Sequence, residues 1–366
     1  MNLCRRQVIG TAVSWPLLTL LAFAGEPDID SEIPWLNEVQ RPSMPLPGDV
    51  PTLSPLLVDE QGQPITTLDG WMARRQALRR DWLEFLGAWE APPTRNDLEI
   101  LASEEFDGLL RQLVRYECEP GEQVEAYLVR PARIERPIPG VVAFHSTANQ
   151  TIRQPAGLAG KPEEAWGPLL ARSGFAVLCP RCFLWNSTGP IDTKSTVAAL
   201  SERHPGAKGM AKMLYDAGRA VDVLAAQECV DAARLGAVGH SLGAKEVLYL
   251  AALDERIKVA VSSEGGIGTR FSNWHDPWYL TDAIQQPDFQ REHHELLALA
   301  APRAFLLLGG DSADGARSWP FIEAVLPIYD LYGKPRRVGL LNHKQGHTIP
   351  PIAVERTLEW FERYLK

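Results

Sequence analysis

The sequence predicts an α/β protein with a mostly parallel central sheet, helices on both faces and an N-terminal extension. Three observations carry this expectation. Short apolar runs at 141–144, 175–178, 235–238, 259–261, 305–308 and 338–341 alternate with stretches of helical spacing, the pattern of parallel strands joined by crossover helices. Earlier β-rich runs at 98–101, 109–116 and 124–129 follow one another with only Pro- and Gly-containing breaks between them, which suits an antiparallel start to the same sheet. A Gly-x-Ser-x-Gly sequence falls at a junction between an apolar run and a helical one.

In chain order, residues 1–24 read as a signal peptide. Arg5 and Arg6 precede an apolar stretch from Val8 to Phe23 that closes on Ala22-Phe23-Ala24. Its removal takes the net charge from −9 to −11, because both arginines leave. The Arg5-Arg6 pair also matches the start of a twin-arginine signal, so a periplasmic or secreted location is expected, with no integral span in the mature chain. Residues 25–90 form an arm and a packing helix. The segment from Glu26 to Gln63 is rich in Pro, Asp and Glu without periodicity, whereas Trp71, Leu78, Trp82 and Phe85 lie at helical spacing. Residues 91–366 form the catalytic domain, with a long helical region ending near Ala226 and further helices at 243–253, after Pro320 and at 352–364. The acidic balance and the lack of a Lys/Arg run exclude a phosphate-tracking surface, so nucleic acid is not an expected partner.

The junction Leu235-Gly236-Ala237-Val238-Gly239-His240-Ser241-Leu242-Gly243 carries the chemistry. A serine on a tight strand-to-helix turn has strained backbone angles, and only small residues two positions to either side let strand and helix approach closely. Its hydroxyl then stands at a helix N-terminus, where the dipole and the Leu242 N–H favour a developing oxyanion. Serine needs a base, and His347, at the end of Asn342-His343-Lys344-Gln345-Gly346-His347, occupies the loop after the last strand run. His343 competes for that role. A second oxyanion donor is expected from the loop after the 141–144 strand, at the Ser146 or Thr147 N–H, and His145 there is a candidate for the substrate side. The acid is left between three carboxylates: Asp314 first, for its distance past the 305–308 strand, then Glu264 directly after the 259–261 strand, then Asp311.

Cys4, Cys118, Cys179, Cys182 and Cys229 are the cysteines. Cys179-Pro-Arg-Cys182 has redox spacing but follows a strand instead of opening a helix, so a structural bridge or buried thiols are expected there. No metal motif and no dinucleotide fingerprint occurs, and no cofactor is expected.

From about Val141 to its end, the chain resembles the α/β-hydrolase superfamily, and within it the bacterial glucuronoyl esterase and acetyl xylan esterase group of dienelactone hydrolase-like serine esterases. The stretches that carry the resemblance are Gly239-His240-Ser241 with Lys245, Ala251 to Arg256, Glu264-Gly265-Gly266, His294 to Leu299 with Ala301-Pro302-Arg303, and His343 to His347. The resemblance implies an α/β-hydrolase fold and hydrolysis of a small-molecule or polysaccharide ester. It also places Lys245 where the family has a lysine that contacts sugar. Glucuronoyl esterases usually carry an arginine after the nucleophile; here that residue is Leu242, which ranks acetylated sugars and other short-chain esters at least level with uronoyl esters. Trp274 and Trp278, in the connection after Glu264, are candidates to pack against a sugar ring. The alternative reading is a catalytically silent binding protein on the same fold, and the sequence leaves the oligomeric state open.

Overall fold

A computed structural model describes residues 32–42, 45–48, 50–90, 95–185 and 189–366. The expected signal peptide lies outside the described residues. Glu32 to Lys366 form one unit.

Nine strands make a single sheet: β1 (Glu99–Phe106), β2 (Leu109–Glu119), β3 (Glu122–Pro131), β4 (Ile138–Phe144), β5 (Ala176–Pro180), β6 (Val230–His240), β7 (Ile257–Ser263), β8 (Ala304–Gly309) and β9 (Val338–Asn342). Their spatial order is β1-β2-β3-β5-β4-β6-β7-β8-β9. The pairings β1 to β2, β2 to β3 and β3 to β5 are antiparallel, and every pairing from β5 and β4 to β9 is parallel. This is the antiparallel start and parallel continuation that the spacing of the runs predicts.

The helices are α1 (Leu36–Val39), α2 (Leu68–Leu86), α3 (Trp166–Arg172), α4 (Thr193–Arg203), α5 (Gly209–Ala225), α6 (Leu242–Leu253), α7 (His294–Ala300), α8 (Trp319–Leu331) and α9 (Pro351–Leu365). The long helical region expected up to Ala226 is two helices, because His204-Pro205-Gly206 breaks it: proline removes a ladder donor and glycine supplies a positive φ of 88°. Period-two alternation sorts the sheet residues into two cores. Val142 and Phe144 face a layer with α2, α5, α6, α7 and α8, while Val141 and Ala143 face α1, α3 and α9. All twelve residues of α6 are buried, so the helix that starts at Ser241 is held on every side. Each fully buried Leu or Val there contributes about 1.5–3 kcal/mol before conformational entropy is counted.

The arm belongs to the fold. Trp35 stacks at 5.6 Å on Trp360 of α9, its indole N–H donates to Glu359 over 2.6 Å, and Val39 lies against β9 where a Cβ on Gly339 would come within 2.3 Å of it.

Candidate active site

The turn between β6 and α6 puts Ser241 at φ 58° and ψ −114°, outside the regions an L-residue favours. The flanking glycines are required sterically. A Cβ on Gly239 would stand 2.4 Å from the Gly243 carbonyl, and one on Gly243 would stand 2.5 Å from the Phe144 carbonyl oxygen of β4. The Ser241 N–H donates to the Ser263 carbonyl at the end of β7 over 2.8 Å, which ties the turn to the neighbouring strand. Leu242 begins α6, so its N–H has no carbonyl one turn earlier in the helix to pair with.

Two further turns meet at this point. After β7, Glu264 has φ 56° and is 1% exposed; its carboxylate accepts from the backbone N–H groups of Gly310, of Ala313 at 2.7 Å and of Asp314 at 3.4 Å. The same Oε2 lies 3.3 Å from Nδ1 of His347, in the loop after β9. The exposed His347 ring sits 4.7 Å from the ring of His240, the residue before Ser241. His240 is buried and bonded through Nδ1 to the Ser263 hydroxyl at 3.0 Å, and burial, with His347 and His343 nearby, pulls its pKa down to about 3. A neutral imidazole therefore forms the floor beneath His347 at physiological pH.

The three candidate acids part company here. Asp314, the first choice from sequence, is fully buried and accepts from the Gly266 and Ile267 N–H groups, both at 2.7 Å, and from the Ser318 hydroxyl at 2.9 Å. It closes the turn that follows Glu264 and does not meet His347; burial, and the Glu264 charge beside it, raise its pKa. Asp311 is exposed and accepts from the Ala316 N–H and the Asn342 side chain. Glu264 alone is bonded to His347. His343 accepts from the Gln345 N–H through Nδ1 at 3.2 Å, and it lies behind the loop beside Gly310.

On the oxyanion side, the Ser146 N–H is already engaged by the Gln154 side-chain oxygen at 2.9 Å, whereas the exposed Thr147 N–H has no partner among the described residues. No local sequence signal marks Gln154, which reaches Ser146 from eight residues on. His145 is buried: its Nε2 accepts from the Cys182 N–H at 3.1 Å, so Nδ1 carries the proton and donates to the Ser146 carbonyl at 2.7 Å. Burial lowers its pKa to about 4. It shapes the loop and offers no surface to a substrate.

Lys245 and Trp274, the expected sugar contacts, are both buried. Lys245, 3% exposed, donates to the Gly265 carbonyl over 2.6 Å and lies 4.1 Å from the Trp274 ring centroid and 5.1 Å from that of Tyr279. Trp274 has no exposed surface, and its indole N–H donates to the Gly266 carbonyl at 2.6 Å. His293 Nδ1 meets the Ile267 carbonyl at 2.8 Å. Lys245, Trp274, His293 and Asp314 therefore clamp the backbone from Gly265 to Ile267 and with it the strained Glu264. Trp278 is half-buried, its carbonyl packed against Gly209 of α5. The four described cysteines are free, and burial pushes the thiol pKa of Cys179 and Cys182 up.

A strained serine between two close-packed glycines, at the end of a parallel strand with a histidine on the loop after the last one, sits on a sheet that has the α/β-hydrolase fold. The dienelactone hydrolase family model matches residues 124–287, a span that contains Ser241 and Glu264. The chain is 27% identical over 282 residues, 73% of its length and 92% of the relative's, to "Putative hydrolase YtaP" of Bacillus subtilis (strain 168). Among solved structures it is similar to a glucuronoyl esterase from Solibacter usitatus, with a TM-score of 0.67 at 18% identity over 88% of this chain and 99% of that one. It is also similar to an acetyl xylan esterase from Paenibacillus sp. R4, with a TM-score of 0.56 at 16% identity over 90% of this chain and 99% of that one.

Proposed function

We propose that the protein is an exported serine esterase that hydrolyses a carbohydrate-linked or other short-chain carboxylic ester through Ser241, His347 and Glu264. The observation that carries this reading is the buried Glu264 carboxylate at Nδ1 of His347, with that imidazole against the residue preceding the strained serine. Ser241 Oγ attacks the ester carbonyl as His347 takes its proton through Nε2, and Glu264 holds the Nδ1–H tautomer and stabilises the imidazolium. The oxyanion accepts from the Leu242 and Thr147 N–H groups, each such donor being worth about 10²–10³ in kcat. The imidazolium then protonates the leaving alkoxide, and water repeats the sequence on the acyl-enzyme. The sugar-ester part is supported by the names of the similar structures. Leu242, 1% exposed, stands where glucuronoyl esterases usually carry an arginine, which ranks acetyl and other short-chain esters at least level with uronoyl esters.

The test is labelling by a fluorophosphonate probe together with a panel of acetyl, uronoyl-methyl and aryl esters, on wild type and Ser241→Ala. Labelling at Ser241 and turnover lost in the variant are expected. An unlabelled, inert wild type would instead identify a silent binding protein.

A further inference from the structure

A cavity of about 330 Å³ lies where Pro45 and Pro47 of the arm meet the loops after β8 and β9. Its volume is at the lower end of the range of small-molecule sites. We propose that this cavity binds a small hydroxy acid, a ligand that joins one carboxylate to several hydroxyl groups.

The charges of the lining select a single negative charge. Two cations, Arg317 and Lys344, stand in it with one carboxylate, Asp311, and neither cation is ion-paired among the described residues. Arg317 is fixed through Nη2, which meets the carbonyls of Phe271, Ser312 and Ala313 at 3.2, 2.8 and 3.0 Å, and by the Phe271 ring, whose centroid is 4.3 Å away. Its Nε and Nη1 have no partner among the described residues and are not shut off from solvent. Lys344 is exposed, and its ammonium is likewise unpartnered among those residues. Two positive charges against one negative suit a monocarboxylate and disfavour a dianion such as phosphate.

The other polar groups select hydroxyls. Oδ1 of Asp311 accepts from the Ala316 N–H at 3.0 Å and from the Asn342 side chain at 2.6 Å, which leaves Oδ2 as an acceptor without a donor among the described residues. The exposed Ser312 hydroxyl is also without a side-chain partner there. A plain carboxylate would meet the charge on Oδ2 and offer it no hydrogen, whereas a hydroxyl group donates to it.

The cavity is built on the turns that hold the candidate acid and base. Asn342, at the end of β9, donates to Asp311 and accepts from the Lys344 N–H at 3.2 Å, and these two residues have positive φ of 62° and 59°. Gly310, just before Asp311, donates to Glu264, and Gly346, just before His347, donates to the Gly310 carbonyl at 2.8 Å. A ligand held between Arg317 and Lys344 therefore ties together the two loops behind the Glu264–His347 pair. That these loops are catalytic rests on the esterase reading; the binding does not.

The experiment is calorimetric titration of the full chain with D-gluconate, with sorbitol, hexanoate and inorganic phosphate as comparisons: sorbitol lacks the carboxylate and hexanoate lacks the hydroxyls. Saturable binding of gluconate is expected, about tenfold tighter than of any of the three. Lys344→Asn, which removes the ammonium and suits a positive φ, should weaken gluconate about tenfold, the loss of one charge-assisted hydrogen bond, and Arg317→Gln at least as much. Ser312→Trp, at an exposed lining position, should abolish binding by filling the cavity. Thermal melts check that each variant folds, and if Arg317→Gln does not, the other two decide. Absence of saturable gluconate binding, equal binding of sorbitol or hexanoate, preference for phosphate, or indifference to Lys344→Asn and Ser312→Trp would overturn the proposal. Since no ester is cleaved in these titrations, their outcome is separate from that of the esterase test.

Discussion

Glu264 and His347 are 83 residues apart in the chain and 3.3 Å apart in space, the first fully buried behind the second. The carboxylate is tethered by backbone N–H groups of the loop after β8, while the imidazole it holds remains exposed. A rigid, desolvated acceptor behind a solvent-facing ring fixes one tautomer of that ring, which a general base requires.

Glu264→Gln should therefore lower kcat by about 10³–10⁴ with little change in KM, as loss of the orienting acid does in other triads. Asp314→Asn should keep turnover within about tenfold and lower the melting temperature instead, because it weakens the turn and leaves the histidine contact in place. Steady-state kinetics beside thermal melts of the two variants decide the matter; a crippled Asp314→Asn with an active Glu264→Gln would reverse the assignment.

The backbone at Ser241 predicts a trade between stability and activity. Relieving φ 58° and ψ −114° with Ser241→Gly should raise stability by about 1 kcal/mol, the released strain exceeding the added entropy of the unfolded chain, while turnover falls by orders of magnitude. Urea unfolding of the inactive variant measures this, and a less stable glycine variant would show that the turn is not strained.

Gly243→Ala should destabilise the fold by about 1–3 kcal/mol or prevent folding, since its Cβ meets the rigid carbonyl of Phe144 and no flexible side chain can yield. A folded, active alanine variant, judged by circular dichroism and ester turnover, would contradict the close approach of α6 to β4.

Three buried histidines each withdraw stability on acidification below about pH 6.5. His145, His240 and His293 are buried and neutral, with pKa values lowered to about 4, about 3 and about 3. Between those values and the ordinary 6.5 the unfolded chain binds protons that the folded chain refuses, so stability is lost as pH drops through that window. In urea titrations between pH 7 and 4 these imidazoles steepen the slope of unfolding free energy against pH, while the buried carboxyls of Glu295, raised to about 7, and Glu246 work against them by taking up protons in the folded chain first. His293→Gln should make the slope shallower by about one proton.

These expectations show which parts of the site can be read from a sequence. The serine turn was legible because its steric demand is local: two glycines, a strand and a helix are all written within ten residues. The loop that carries His347 was legible from its place after the last strand run. The acid was not, because Asp314 and Glu264 are carboxylates at equivalent strand ends and only the path of two loops decides which reaches the imidazole. Asp314 was drawn away by the Gly266 and Ile267 N–H groups, a demand of the neighbouring turn that no local pattern announces. The burial of Lys245 and Trp274 was not legible either, because their packing on each other and on the Gly265 and Gly266 carbonyls is made between elements distant in sequence. The break at Pro205-Gly206 is written in the sequence, and it divides that helical region into α4 and α5.

The bond from Trp35 to Glu359 joins positions 324 residues apart, and Val39 covers a strand that is itself among the last to be synthesised. On a ribosome, the arm must therefore wait, uncovered, until α9 and β9 have emerged before its seam can close. Until then the Trp35 indole lacks its partner in α9 and is an apolar surface that a chaperone can shield and by which a protease can recognise an unfinished molecule.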